Sequence, residues 1–201
     1  MTIFLTRRRA LSLFAFAASP FLIAGSALAD KSAEAYVAKI GKDVLRVANA
    51  GTRGVATRNK FASLLGRHVN LRGITMASLG TYQKKLPAGD KDKLNNLVTT
   101  YAAALFAWFV EDFKGRDFVV DRTAKQGKFL LVYSRIVKSS GSDEPIVFYL
   151  SGGGGSYSIV DISVLGVRLS SAMRQRFTDE LKKSKGEFEP LYAMLREAET
   201  W

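Results

Sequence analysis

The sequence predicts an α+β fold in one domain: N-terminal helices, a four-stranded antiparallel meander, and two C-terminal helices. Three observations carry this. Apolar residues recur every three or four positions up to Gly115, every second position between Phe118 and Val164, and at helical spacing again beyond Ser170. The chain is 201 residues long, a size for a single core. With 47% apolar and 24% charged residues its composition is that of a packed globular protein.

The first segment is a targeting signal by its chemistry. Arg7, Arg8 and Arg9 precede an apolar run from Ala10 to Ala24, and Ala27-Leu28-Ala29 supplies small residues for cleavage after Ala29. Residues 1–29 are therefore expected to be a signal peptide and 30–201 the single mature domain. The run is short of the roughly 20 residues a membrane span needs. Thr6-Arg7-Arg8 leaves both the general and the twin-arginine export routes open.

In the mature part, Val37, Ile40, Val44, Leu45 and Ala48 make one face of a helix over residues 31–50, closed by Gly51 and Gly54. A short helix starting at Arg58 runs through Phe61, Leu64 and Leu65 to Gly66, and another spans 71–79 before Gly80. After Pro87, Gly89 and Asp90, the stripe Leu94, Leu97, Val98, Tyr101, Leu105, Trp108 and Phe109 predicts a helix over 91–113. Four strands follow at Phe118–Arg122, Phe129–Lys138, Pro145–Leu150 and Tyr157–Val164, with turns at Lys125-Gln126-Gly127, Ser139–Asp143 and Gly152–Gly155. The glycine tract lacks a following Gly-Lys-Ser/Thr, so it is not a phosphate loop. Ser170 or Ser171 can cap a helix carrying Met173, Phe177 and Leu181 to Gly186, and Pro190 opens the last helix, with Leu191, Tyr192 and Leu195.

Composition removes most catalytic machinery. There is no cysteine and one histidine, His68, so disulfides, thiolate nucleophiles and polyhistidine metal centres are out, and no cofactor is expected. Removing residues 1–29 takes away three arginines and no acids, leaving 27 basic against 18 acidic residues, a net charge of +9. No basic cluster is interleaved with aromatics, so nucleic acid is not an expected partner. Anionic headgroups and acidic protein surfaces are the natural counterparts of a basic exported protein.

Several local signatures, taken in order, match a known family. Arg58-x-x-Phe61-x-x-Leu64-Leu65, His68-Val69-Asn70, Ile74 and Ser78-Leu79-Gly80 come first; Tyr133-Ser134-Arg135-Ile136-Val137, Phe148-Tyr149-Leu150, Ser158-Ile159-Val160-Asp161-Ile162, Leu165-Gly166-Val167 and Arg174-Gln175-Arg176-Phe177 follow. Over residues 35–197 the chain resembles the MlaC family, also called toluene-tolerance proteins. The resemblance implies a curved sheet backed by helices, with an apolar cavity between them for acyl chains. It also implies a periplasmic phospholipid shuttle of an ABC-type system, passing lipid between an inner-membrane transporter complex and an outer-membrane lipoprotein complex and so maintaining outer-membrane asymmetry. Asn70, Leu165 and Tyr82-Gln83 depart from the family pattern. The hopanoid-associated branch is not separable from the phospholipid branch on these residues.

A carrier needs an apolar wall. Val132 and Ile136, Ile146, Phe148 and Leu150, and Ile162 and Val164 are its candidates on the sheet; Tyr101, Leu105 and Phe109 from the long helix and Val167, Leu169 and Phe177 beyond the sheet complete the enclosure. These residues would equally fill a solid core, as an envelope adaptor would have. Arg67, Arg72, Lys84, Lys85 and Arg168 neighbour the expected mouth without an assigned role. Asp161, inside an apolar strand, requires a cation or several hydrogen-bond donors, with Arg135 as the candidate partner. An enzymatic alternative pairs Asp161 with Tyr133 or Tyr149 in an isomerase-like pocket.

Overall fold

The structure, a computed structural model, describes residues 30–201. The expected signal peptide and its cleavage point after Ala29 lie outside the described residues. Asp30 caps the first helix, its carboxylate accepting the Ala33 N–H at 3.0 Å. This helix, α1 (Lys31–Ala50), buries Val37, Ile40, Gly41, Leu45 and Ala48 along one stripe. α2 (Val55–His68) begins three residues before the expected Arg58, because Gly54, at φ 134°, makes the reversal there. α3 (Leu71–Ser78) is capped by the Asn70 side chain, which accepts the Gly73 N–H.

A 3₁₀ segment, Gly80–Lys85, leads to α4 (Lys91–Trp108). The sequence pattern extends this helix to 113. It stops at Trp108 instead and continues as the 3₁₀ turn Val110–Phe113. Leu105, Phe106, Trp108, Phe109, Val110 and Phe113 cannot share one helical face; tightening the last turn buries Val110 and Phe113 and leaves Trp108 and Phe109 exposed.

The sheet has five strands in sequence order: β1 (Asp117–Gln126), β2 (Phe129–Val137), β3 (Glu144–Gly153), β4 (Ser156–Val164) and β5 (Val167–Arg168), each antiparallel to its neighbour. The meander is as expected, with one strand more than the four read from the sequence. β5 is two residues long, too short to produce a period. It folds back through Leu165-Gly166, both left-handed (φ 52° and 81°), so a leucine holds a conformation that normally selects glycine or asparagine. Of the glycine tract, Gly152 and Gly153 remain in β3, and Gly154-Gly155 alone make the hairpin turn.

Bulges interrupt β1 between Val120 and Arg122 and put two β4 residues, Val160 and Asp161, against the Tyr149–Leu150 step of β3. Bulges sharpen the local twist, and here they curl the sheet around its inner face. Inward positions alternate along β2 (Val132, Ser134, Ile136) and β3 (Ile146, Phe148, Leu150), all buried. A parallel bridge between Val69 and Ile159, with Asn70 N–H donating to the Ile159 carbonyl at 2.8 Å, ties the end of α2 to β4. α5 (Leu169–Lys183) and α6 (Glu189–Arg196) close the chain and pack on α3 and α4.

Candidate functional site

Between the curled face of the sheet and α1, α2 and the end of α4 lies a hollow of about 40 Å³. Its sheet wall is Phe118 of β1, Ile146 and Phe148 of β3, and Ile159, Ile162 and Val164 of β4. Its helical wall is Ile40, Gly41 and Val44 of α1, Phe61, Leu64, Leu65 and His68 of α2, then Val69, Phe106 and Phe113. His68 is the one residue of this set with a titratable side chain.

Aromatic rings occupy much of the space between the layers. Phe61 lies 5.6 Å from Phe106, Phe106 stacks on Phe113 at 5.3 Å, and Phe118 meets Phe148 edge-on at 6.2 Å. Phe118 reaches inward because Gly41 has no side chain; a Cβ at Gly41 would sit 2.2 Å from its ring. That glycine, in the middle of an apolar helical stripe, was the available sign that α1 forms a wall.

Four of the thirteen sequence-predicted wall residues, Ile146, Phe148, Ile162 and Val164, line the hollow. Val132, Ile136 and Leu150 are buried on the same face of the sheet but beside the hollow. Tyr101 packs against Trp201 at 5.7 Å, Phe109 is exposed, and Phe177 is wholly buried in α5. Leu105, Val167 and Leu169 are half-buried away from the lining. The lining draws on α1 and α2 more than on α4, because an apolar stripe announces burial and not which layer it meets. The apolar cavity that the family resemblance implies is small here: about 40 Å³ has room for a few water molecules.

A polar rim surrounds His68. Its ring is 5.9 Å from Tyr36, which is 5.7 Å from Tyr157. The Tyr157 hydroxyl donates to the Asp30 carboxylate at 3.0 Å and also bonds Ser32. Burial, then the nearby Arg67 charge, holds the His68 imidazole below the ordinary histidine range, favouring the neutral form. The Ala33 N–H and the Ser32 hydroxyl lower the Asp30 carboxyl.

Asp161 faces away from the hollow. Its expected partner Arg135 instead pairs with Asp121 and Asp143. Asp161 is held by Arg168, at 2.8 Å from Nε and 2.7 Å from the terminal nitrogen, by the Ser170 N–H at 3.1 Å and by the Ser170 hydroxyl. The reason is geometric: the β4–β5 turn returns Arg168 alongside β4, whereas Arg135 is on β2, beyond β3. Arg168 also lies over Tyr149, 4.4 Å from its centroid. Asp161, Tyr133 and Tyr149, the residues of the isomerase-like alternative, do not line this hollow. Of the other mouth cations, Arg72 pairs with Asp92 and Lys85 lies over Tyr82.

The family model of the MlaC protein matches residues 39–197, most of the chain and nearly all of this architecture. The chain belongs to the MlaC family. Among solved structures, a phospholipid-binding protein from Ralstonia solanacearum in complex with a phospholipid has a similar fold, with a TM-score of 0.66 at 16% identity, covering 83% of this chain and 96% of that one. No curated protein sequence matches at a significant level. Within this MlaC-family fold, the hollow lies between the layers and its lining is nearly all hydrocarbon. Such a surface can shield apolar chains from water.

Proposed function

We propose that this protein is a periplasmic lipid carrier that holds the tails of a phospholipid between its sheet and helices. It collects the lipid at one membrane and releases it at the other. The observation that carries the reading is the apolar hollow, walled by β3, β4, α1 and α2. Membership of the MlaC family supports it, as does the phospholipid in the Ralstonia protein. Export with cleavage after Ala29 would deliver it to the periplasm. Its partners there would be an inner-membrane ABC transporter complex and an outer-membrane lipoprotein complex, the traffic preserving outer-membrane asymmetry.

The physical requirement is severe. A chain of about 16 carbons released into water loses more than about 10 kcal/mol of hydrophobic free energy at ~0.8 kcal/mol per CH₂. Only an apolar interior offsets that. Ligand pockets generally start near 300 Å³, so a hollow of about 40 Å³ must widen to take a tail. Rotation of the phenylalanine rings and separation of α1 and α2 from the sheet supply that room. The role is binding, without chemistry on the lipid.

Native mass spectrometry of protein purified without detergent tests this. The expected spectrum carries mass increments of membrane phospholipid, and the masses identify the class and number of tails. Bare protein that also takes up no lipid from phospholipid vesicles would overturn the carrier reading.

A further inference from the structure

A second depression lies on the outer side of the same wall. It occupies about 220 Å³ along the seam of α1 and α2 and is lined by Asp43, Arg46 and Val47 from α1 and Lys60, Ser63, Leu64 and Arg67 from α2. Leu64 lines both this groove and the apolar hollow, and Val44, on the hollow, follows Asp43, in the groove, along α1. Leu64 thus contributes to the walls of both a hydrocarbon-lined space and a polar one that opens to solvent.

The groove's charge is one-sided. Arg46, Lys60 and Arg67 face one acid, Asp43, which Arg46 already pairs. Among the described residues Arg67 hydrogen-bonds only the Ser63 carbonyl, its neighbour one turn back, and Lys60 has no ion pair. Both retain charge to offer. All three basic side chains are exposed, so binding an anion there does not require their desolvation from a buried site. An amphiphile with an anionic head fits this juxtaposition, with the head on the basic groove and the tails past Leu64.

We infer that the α1–α2 groove is the phosphate subsite of the carrier: Arg46, Lys60 and Arg67 receive the phosphodiester of a phospholipid whose tails enter the hollow through the seam beside Leu64. The assignment rests on the carrier reading and adds the position and chemistry of the head. Guanidinium groups suit it because they give phosphate oxygens paired donors, and Lys60 adds a mobile point charge.

The test compares uptake of two lipids from phosphatidylcholine vesicles by the purified protein: phosphatidylglycerol, and diacylglycerol with the same tails but no phosphate. Wild type is set beside Arg46→Gln/Lys60→Gln/Arg67→Gln, the single reversal Lys60→Glu, and a remote triple, Lys125→Gln/Lys128→Gln/Lys182→Gln, that removes equal charge. Circular dichroism checks that each variant is folded. The groove triple should lose about tenfold in phosphatidylglycerol uptake and keep diacylglycerol uptake, Lys60→Glu should shift the same way, and the remote triple should match wild type. Unchanged phosphatidylglycerol uptake in the groove variants, or an equal loss of both lipids, overturns the subsite while leaving the carrier reading standing. Wild type that takes up neither lipid overturns both. Inorganic phosphate is added alone as a third arm: binding of it that depends on the groove but leaves phosphatidylglycerol uptake untouched assigns the groove to free anions and overturns the lipid assignment.

Discussion

Asp161 and His68 illustrate how differently two titratable residues are used. Asp161, 2% exposed, accepts from Arg168, from both donors of Ser170 and from its own strand's Ile162 N–H. It brings a negative charge to the first turn of α5, where free N–H groups favour an anion. Asp161→Asn replaces one charged acceptor with a donor facing Arg168, so urea denaturation should find the protein less stable by about 2 kcal/mol, with lipid uptake retained after folding. His68 works in the other direction. Its folded-state affinity for protons is reduced, so the unfolded chain binds more protons and stability rises with pH through that window. The contribution is complete above the ordinary histidine pKa near 6.5 and is lost as pH falls through the lower folded value. The melting temperature should therefore drop on acidification from pH 7 to pH 5, and His68→Gln should flatten that slope.

At the level of elements, the contact of α1 with β1 decides the shape of the hollow. Gly41 sits in the middle of a helix, where glycine costs about 0.5–1 kcal/mol relative to alanine. Its compensation is the Phe118 ring lying against the helix backbone. Gly41→Ala therefore tests an element rather than a side chain. The new methyl group must push Phe118 toward Phe148 or force α1 off the sheet, an overpacking of about 1–3 kcal/mol. Thermal melting should report that loss, and native mass spectrometry should report reduced lipid occupancy in the folded fraction. The end of α4 shows a related trade. Its apolar residues are too many for one face, so the helix tightens and divides them between Val110 and Phe113 inside and Trp108 and Phe109 outside.

For the molecule as a whole, a curled five-stranded meander and its helical cover meet along a surface that is well packed in some places and hollow in others. The largest side chains with almost no exposure include Tyr192, Phe177, Leu181, Leu191 and Leu195, which belong to α5 and α6. Phe61 and Ile159, which line the hollow, are as fully buried. The hollow lies where α1 and α2 cross the sheet and rings meet at about 5–6 Å without filling every gap. Element type, order and most boundaries were legible in the sequence because periods of two and 3.6 are local consequences of which face is buried. The strands' inward residues follow from the same rule, and Ile146, Phe148, Ile162 and Val164 among them line the hollow. Nothing local distinguishes a stripe that faces a gap from one that faces another side chain, so the pattern cannot separate Tyr101 and Phe177, which lie off the hollow, from Phe61, Leu64 and Phe118, which line it. By itself the sequence determined the α+β class, the meander and the family, since each is written in spacing and ordered motifs. Which layers enclose the hollow, that Arg168 rather than Arg135 holds Asp161, and that three basic side chains border the hydrocarbon wall at Leu64 were decided by tertiary structure alone, because each depends on how distant segments are brought together across the curl of the sheet.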